Sequence, residues 1–350
     1  MWQQLRRWWP AAKAVLALVI LLAIGGRFYR DLRRPDLWHR PFHPGWLLAA
    51  AALYLLGLAT CALYWYRLLR GIGQRPSLRA VVRAYYVSHL GKYAPGKAWA
   101  LLLRATLTHS PEVHGGYAGL TAFYEVLTTM ASGALVAVVL LAALGPTSTA
   151  PFDPHALGRL ILGQTVEGAE VDHVAVLALA ALLLLAVGTP LLPPLFNRLA
   201  RRLTLPFRGK NAPPLPRLGP AALVEGLGIT AVGWVLLGLS LWAALQATAP
   251  RPLPWSAELL GRSTAYLGIA YVAGFVLLVA PGGLGVREFF LTLFLTPEIG
   301  RALTLDAAEA RFTVVAAVLA LRLVWTAAEL VMAAAVFWLP VRPRPGEVRS

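Results

Sequence analysis

The chain has 350 residues, of which 58% are hydrophobic and only 14% are charged, with a formal net charge of +16. A soluble domain carries roughly a quarter charged residues, so this composition argues against a soluble protein, and the continuous apolar runs argue against a transmembrane barrel. The excess of Lys and Arg lies in loops, which is typical of cytoplasmic loops facing anionic lipid, and we expect no nucleic-acid partner.

The apolar runs predict an all-α polytopic membrane protein with about six full spans. The N-terminal segment, residues 1–44, has a basic head and an apolar run, and we interpret it as an uncleaved span followed by a basic connection. Trp8 and Trp9 are its interface anchors. Five further spans are predicted at about 46–66, 118–144, 174–192, 221–245 and 312–339, each near the ~20 residues that a helix needs to cross a bilayer.

Two apolar segments are interrupted. Residues 265–295 contain a break rich in proline and glycine, and as one helix they would measure about 46 Å, far more than a ~30 Å hydrocarbon core. Residues 81–107 carry Pro95-Gly96 near their middle. Because proline and clustered glycines disfavour helix continuation, each segment is predicted to form a re-entrant helical hairpin.

Loop charges orient the spans. Residues 193–220 carry six basic residues and no acid, whereas residues 145–173 carry four acids against Arg159 alone. The first loop is therefore predicted to be cytoplasmic and the second external, with both termini cytoplasmic in the cell inner membrane. The segment Arg27–Pro44 disagrees, because this scheme places its five arginines outside.

The order span, broken hairpin, span then occurs twice with opposite entry, which predicts an inverted repeat. Half one is residues 45–145, the linking span is 173–193 and half two is 220–340, followed by a basic tail at 341–350. Interrupted segments at corresponding positions of inverted halves are typical of a transport site near the membrane midplane.

The second break has the features of an anion site. Its free N–H groups begin a helix at Val286, whose partly positive end can hold phosphate. Arg287 adds a planar guanidinium, and Glu288 is expected to pair with Arg287 or with a cation of the first hairpin. The residues of the break itself are Pro281, Gly282, Gly283 and Gly285.

The first hairpin offers cations of its own, and the neighbouring spans hold further charges. Lys92, Lys97 and Arg104 are candidate phosphate ligands, with snorkelling lysines at an interface as the alternative. Glu125 is a candidate counter-charge, or a structural hydrogen-bond partner of the first hairpin. Charges inside a membrane are costly and typical of function. Arg322 and Glu329 lie seven residues apart on one helix face, which favours a packing pair.

The chain resembles a known family at both breaks. It is similar to the flippase-like transmembrane domain of bacterial lysyl-phosphatidylglycerol synthases and to related stand-alone membrane proteins, over about residues 46–339. The family pattern G-K-Y-x-P-G-K is found at Gly91, Lys92, Tyr93, Pro95, Gly96 and Lys97. The pattern P-G-G-x-G-x-x-E is found at Pro281, Gly282, Gly283, Gly285 and Glu288.

A third family feature is a glutamate in the span after the first hairpin, here Glu125. Members often carry Arg after it, whereas this chain has Val126. The resemblance implies movement of a lipid or lipid-linked headgroup between leaflets. Family synthases carry a soluble aminoacyl-transfer domain after the membrane part, and this chain ends ten residues beyond Pro340, so we expect no such activity.

Two functions stay open from the sequence. The first is a flippase or transporter for an anionic phospholipid or a polyprenyl-phosphate-linked lipid, with the two motifs, Arg104, Glu125 and Arg287 as candidate ligands. The second is an intramembrane enzyme or accessory protein acting on a lipid-linked phosphate or sugar, with a lipid-synthesis or glycosyltransferase partner. No cofactor is expected, and His109 and His114 do not have a recognised metal-ligand spacing.

Overall fold

The computed structural model describes residues 42–93, 99–145, 173–204, 217–277 and 285–338. Regular structure in these ranges is helical, apart from one isolated bridge between Ser110 and Val113. The ten described α-helices are α1 Pro44–Gly71, α2 Leu78–His89, α3 Trp99–Thr108, α4 Gly115–Leu144, α5 His173–Gly188, α6 Pro193–Thr204, α7 Pro220–Thr248, α8 Ala257–Val276, α9 Val286–Leu303 and α10 Ala307–Phe337.

Six of these helices, α1, α4, α5, α7, α8 and α10, are long and apolar enough to cross a membrane. The protein is therefore a multi-pass, all-α membrane protein. Five of the six correspond to predicted spans. The sixth, α8, belongs to the second broken segment, and the predicted N-terminal span lies outside the described residues.

Close helix contacts occur where the sequence supplies small residues. A Cβ atom added at Gly57 of α1 would lie 3.3 Å from the carbonyl oxygen of Gly233 in α7. A Cβ atom at Gly268 of α8 would lie 2.6 Å from the carbonyl oxygen of Gly133 in α4. Because lipid gives helices no hydrophobic reason to associate, van der Waals contact of this kind stabilises the bundle.

The helices of the two halves pack in matching ways. In each half the first span contacts the hairpin and the last span: α1 contacts α2 and α4, while α7 contacts α8 and α10. Between the halves α1 packs on α7, and the last span of each half packs on the first hairpin helix of the other, α4 on α8 and α10 on α2. This is the pattern that a two-fold repeat predicts.

The two hairpins enter the bundle from opposite ends. We call the two ends of a hairpin that connect to the neighbouring spans its feet. The first hairpin, Leu78–Thr108, is closed at its feet by a hydrogen bond from the backbone N–H of Arg75 to the carbonyl of Glu112, 3.3 Å. The second hairpin, Ala257–Leu303, is closed at its feet by Arg251, which donates to the hydroxyl of Thr304 at 2.6 Å. A serine N-cap begins each hairpin: Ser77 accepts from an N–H of α2 and Ser256 from an N–H of α8.

The two hairpins differ in length. Helices α2 and α3 have 12 and 10 residues, about 18 and 15 Å, which is too short to cross a ~30 Å hydrocarbon core. Helices α8 and α9 have 20 and 18 residues, about 30 and 27 Å. The second hairpin thus extends well beyond the predicted 265–295, because its outer turns are polar yet helical. Re-entry into a membrane and inversion of the repeat remain predictions.

Charge separates the two ends of the bundle. One end of the bundle, which we call the basic end, is formed by the last turns of α1, the feet of the first hairpin, α6 and the first turns of α7. Tyr64 of α1, for example, donates to the carbonyl of Ala222 at 3.0 Å. Its described charged residues are nine arginines and two glutamates: Arg67, Arg70, Arg75, Arg79, Arg83, Arg198, Arg201, Arg202, Arg217, Glu112 and Glu225.

The opposite end collects the start of α1, the end of α4 and the feet of the second hairpin. The N–H of His43 donates to the carbonyl of Ala247 at 3.2 Å, and Arg262 donates to the carbonyl of Gly145 at 2.8 Å. Its described charged residues balance at four of each sign: Arg251, Arg262, Arg301, Arg311, Glu258, Glu298, Asp306 and Glu309.

Candidate functional site

The described inner parts of the two hairpins line one polar cavity inside the bundle, which we call the inter-hairpin cavity. Its volume is about 50 Å³, enough for a few water molecules and too small for a lipid headgroup. Its lining residues come from the first hairpin, α8, α9 and α10, and are Lys92, Tyr93, Tyr271, Arg287, Glu288, Leu291, Val318, Leu321, Arg322, Trp325, Thr326 and Glu329.

Glu329 anchors the tip of the first hairpin to α10. Its side chain is 1% exposed, and it accepts hydrogen bonds from the Lys92 ammonium and the Tyr54 hydroxyl. The Tyr93 hydroxyl donates to its other oxygen at 2.9 Å, and His89 Nε2 lies 3.6 Å away. A buried carboxylate requires partners of this kind, and here they come from two different elements.

Glu288 lies in the first turn of α9 and anchors the second hairpin to α10. It forms an ion pair with Arg322 of α10. Its other oxygen accepts from the N–H of Gly285 at 2.7 Å. Gly285 has φ +82°, a conformation that favours glycine. The positive end of α9 is therefore already occupied by a carboxylate of its own first turn.

Arg287 is the cation of the cavity without an ion-pair partner among the described residues. Its guanidinium lies over the ring of Tyr271, 3.8 Å from the centroid, a favourable cation–π distance. Its buried Nε has no hydrogen-bond partner in the described structure. Three cations face two carboxylates among the described lining residues, so this part of the lining carries one excess positive charge.

The wall behind Arg287 is aromatic and held in place. The rings of Tyr54 and Trp325 stack with centroids 4.2 Å apart, and Tyr271 lies 5.5 Å from Trp325. The indole N–H of Trp325 donates to the hydroxyl of Ser240 at 2.9 Å. The wall thus combines apolar surface with fixed polar groups, as ligand sites commonly do.

Arg104 and Glu125 form a separate buried pair away from the cavity. Their charged atoms lie 2.6 Å apart, and the side chains are 3% and 1% exposed. Tyr85 and Thr129 donate to Glu125 at 3.2 and 3.1 Å, and the Arg104 guanidinium lies 4.1 Å from the Tyr85 ring centroid. The pair joins α3 to α4, so it fixes the returning arm of the first hairpin.

The family described as Lysylphosphatidylglycerol synthase TM region matches residues 9–308. The chain belongs to this family. The match confirms the resemblance seen at the two motifs and includes both hairpins. It ends within the first turn of α10, so Arg322 and Glu329 of the cavity lie beyond it. A search of curated proteins finds no match.

The structure brings four of the predicted ligands of this family member into one cavity: Lys92, Tyr93, Arg287 and Glu288. Gly285 forms the N-cap of α9 beside them. Arg104 and Glu125 instead pair with each other outside the cavity lining. The remaining candidates lie outside the described residues: Pro95, Gly96, Lys97, Pro281, Gly282 and Gly283.

Two pairing expectations are corrected. Among the described residues Glu288 pairs with Arg322 of α10, and not with Arg287, Lys92 or Arg104. Arg322 and Glu329 do not form a packing pair, because seven residues of helix separate them by about 10 Å along the axis. Each of them reaches a different hairpin, Arg322 the second and Glu329 the first.

Sequence reasoning also missed residues of the cavity and its surroundings. Tyr54 and His89 carry no motif, and Tyr271, Trp325 and Thr326 are ordinary members of apolar helices. A signal existed for Arg322 and Glu329, because two charges in a strongly apolar span are expected to face a partner or a cavity. Their sequence spacing suggested that each was the partner of the other.

Proposed function

We propose that this protein transports an anionic lipid, either a phospholipid or a polyprenyl-phosphate-linked lipid, between leaflets by binding its phosphate at the inter-hairpin cavity. The observation that carries the proposal is Arg287, a guanidinium without an ion-pair partner among the described residues, in a cavity with one excess positive charge. A guanidinium binds phosphate through two parallel hydrogen bonds.

The position of the cavity supports transport. Described residues of both hairpins line it, and the two hairpins enter the bundle from opposite ends. A phosphate held there contacts both hairpins, so movement of either one changes access from one end. Because a lipid headgroup is larger than a cavity of about 50 Å³, binding in this proposal requires the hairpins to separate.

The experiment measures headgroup accessibility over time in proteoliposomes that contain a fluorescent phosphatidylglycerol, with the amount of protein held equal. We expect Arg287→Ala to slow transport at least about tenfold, since a charge-assisted hydrogen bond contributes about 1.5–3 kcal/mol. Arg287→Lys is expected to slow transport less, because it keeps the charge and loses the planar geometry. Lys92→Ala and Lys97→Ala are expected to slow transport as well.

Arg301→Ala is the matched control. Arg301 lies at the other end of α9 and is 47% exposed beside Glu298, so we expect a rate equal to that of the wild type. The proposal is wrong if Arg287→Ala, Lys92→Ala and Lys97→Ala all transport phosphatidylglycerol and a polyprenyl phosphate at the wild-type rate. In that case the inter-hairpin cavity is not the transport site, or the protein does not transport these lipids.

An intramembrane enzyme is the second candidate, because Glu288 and Glu329 both line the cavity and paired acids suit acid–base chemistry. Both carboxylates already have cationic and hydrogen-bonding partners, which favours charge balance over proton transfer to a substrate. Incubation of the reconstituted protein with both lipids, followed by mass spectrometry of the lipids, distinguishes the two candidates: transport leaves the lipids chemically unchanged.

A further inference from the structure

Glu329 is the most enclosed charged group of the inter-hairpin cavity, at 1% side-chain exposure against 9% for Glu288. Tyr54 reaches it from α1, and His89, Lys92 and Tyr93 reach it from the first hairpin. The other titratable or charged groups around the cavity lie on α8, α9 and α10, and are Tyr271, Arg287, Glu288 and Arg322.

Binding of a phosphate at the inter-hairpin cavity disturbs the contacts of Glu329. This inference rests on the proposed function. A phosphate attracted to Arg287 enters a cavity whose other available cation is Lys92, since Arg322 is held by Glu288. Lys92 lines the cavity, is 27% exposed and has its partner Glu329 on a different element, so an anion bound at Arg287 competes with Glu329 for the Lys92 ammonium. In the proposed step the anion draws the Lys92 ammonium away from Glu329.

Loss of Lys92 leaves Glu329 as a buried carboxylate with only hydroxyl donors. Removing one partner of a buried ion pair is strongly destabilising, and a proton taken up at this contact offsets that loss. His89 Nε2 lies 3.6 Å from the same Glu329 oxygen, so the carboxylate and the imidazole form one acceptor for a proton.

We propose that phosphate binding at the inter-hairpin cavity takes up one proton at the Glu329–His89 pair, so that headgroup movement is coupled to proton movement. The proton comes from water on the side to which the cavity is open, and it resides on the Glu329 carboxylate or on His89 Nε2. It is released when the phosphate leaves and Lys92 returns to Glu329. No covalent bond between heavy atoms changes.

Glu288 does not have this role, because its partners stay with it. Arg322 and the N–H of Gly285 both belong to half two, and neither needs to move when Lys92 moves. The proposed proton uptake is therefore confined to the contact between the first hairpin and α10.

Calorimetry of the full chain in nanodiscs tests the coupling. Dihexanoyl-phosphatidylglycerol, geranyl phosphate and inorganic phosphate are titrated in two buffers of equal pH and different ionisation enthalpy, and the difference in heat gives the protons taken up per anion bound. We expect about one proton for the wild type at a pH where His89 is neutral in the free protein. Glu329→Gln keeps hydrogen bonding and frees Lys92, so binding is retained while proton uptake falls to near zero.

His89→Gln is the second variant, in case Glu329→Gln folds poorly, and loss of uptake with retained binding in either variant supports the proposal. Glu225→Gln, at an exposed ion pair of the basic end, is the control that keeps full uptake. Lipid binding without proton uptake in the wild type overturns the coupling. Proton uptake that is unchanged in both variants overturns it too. Either result leaves the proposed function intact. Binding of inorganic phosphate alone keeps the coupling and overturns the lipid substrate, whereas no binding of any probe overturns both.

Discussion

Two ion pairs have corresponding places in the two halves, and they differ in exposure. Each joins the returning helix of a hairpin to the span that follows it, Arg104 to Glu125 in half one and Glu288 to Arg322 in half two. The signs are exchanged between the halves. The first pair is almost fully buried, whereas Arg322 is 30% exposed to the cavity. The second pair lines the inter-hairpin cavity and the first does not, so we expect the first pair to be structural.

At the residue scale we therefore expect Glu125→Ala to act on stability. The change leaves the Arg104 charge buried without its carboxylate, which is destabilising by about 3–5 kcal/mol. The measurement is the midpoint of thermal unfolding in detergent. The double variant Arg104→Met, Glu125→Leu is expected to recover most of the loss, because an apolar pair of similar volume leaves no charge unpaired.

The control for this prediction is Glu225→Ala. Its partner Arg67 is 56% exposed, and an exposed ion pair contributes at most about 1 kcal/mol. An unfolding midpoint of Glu125→Ala equal to that of Glu225→Ala would contradict a structural role for the buried pair.

At the scale of elements, the second hairpin is positioned by the packing of α8 on α4. The closest approach is at Gly268, where an added Cβ atom would lie 2.6 Å from a backbone carbonyl oxygen of α4. A backbone atom cannot rotate away, so Gly268→Ala must push the helices apart. We expect a lower unfolding midpoint and slower transport, because the shift also moves Tyr271 beneath Arg287.

Gly228→Ala is the matched control, since Gly228 lies within α7 and has no heavy atom within 4 Å of an added Cβ. Removing an exposed helical glycine stabilises by up to about 1 kcal/mol, so its midpoint is expected to stay or rise. Equal midpoints for the two variants would mean that α8 tolerates separation from α4.

At the scale of the whole molecule, the two ends differ in charge, and this difference predicts orientation. Among the described residues the basic end holds nine arginines against two glutamates, whereas the opposite end is balanced. Because positive loops are retained in the cytoplasm, we expect the basic end to be cytoplasmic. The only native cysteine, Cys61, is buried, and Cys61→Ser gives a background for single-cysteine labelling.

In that background, Arg75→Cys is expected to react with an impermeant thiol reagent only from the cytoplasmic side, and Arg251→Cys only from outside. Both positions are exposed, and they lie at the feet of the first and second hairpins. If both cysteines react from the same side, the repeat is not inverted. If Arg75→Cys reacts only from outside and Arg251→Cys only from the cytoplasmic side, the basic end is the external one.

The sequence by itself determined the class of the protein, the approximate spans, the two interruptions and the family. These follow from local properties, because apolar length fixes which segments can cross a bilayer and proline with clustered glycines disfavours a continuous helix. Four cavity residues, Lys92, Tyr93, Arg287 and Glu288, were predictable for the same reason, since each is a polar residue next to a break in an apolar segment.

Only the tertiary structure decided which charges pair. In a helix that is apolar all round, sequence periodicity does not mark the face that meets a neighbour, so the partners of Arg322 and Glu329 could not be read from α10. Helix α10 packs against both hairpins, which places Arg322 beside Glu288 and Glu329 beside Lys92. The same packing left Arg287 without an ion-pair partner among the described residues, because burial and distance, and not adjacency along the chain, decide which charges neutralise each other.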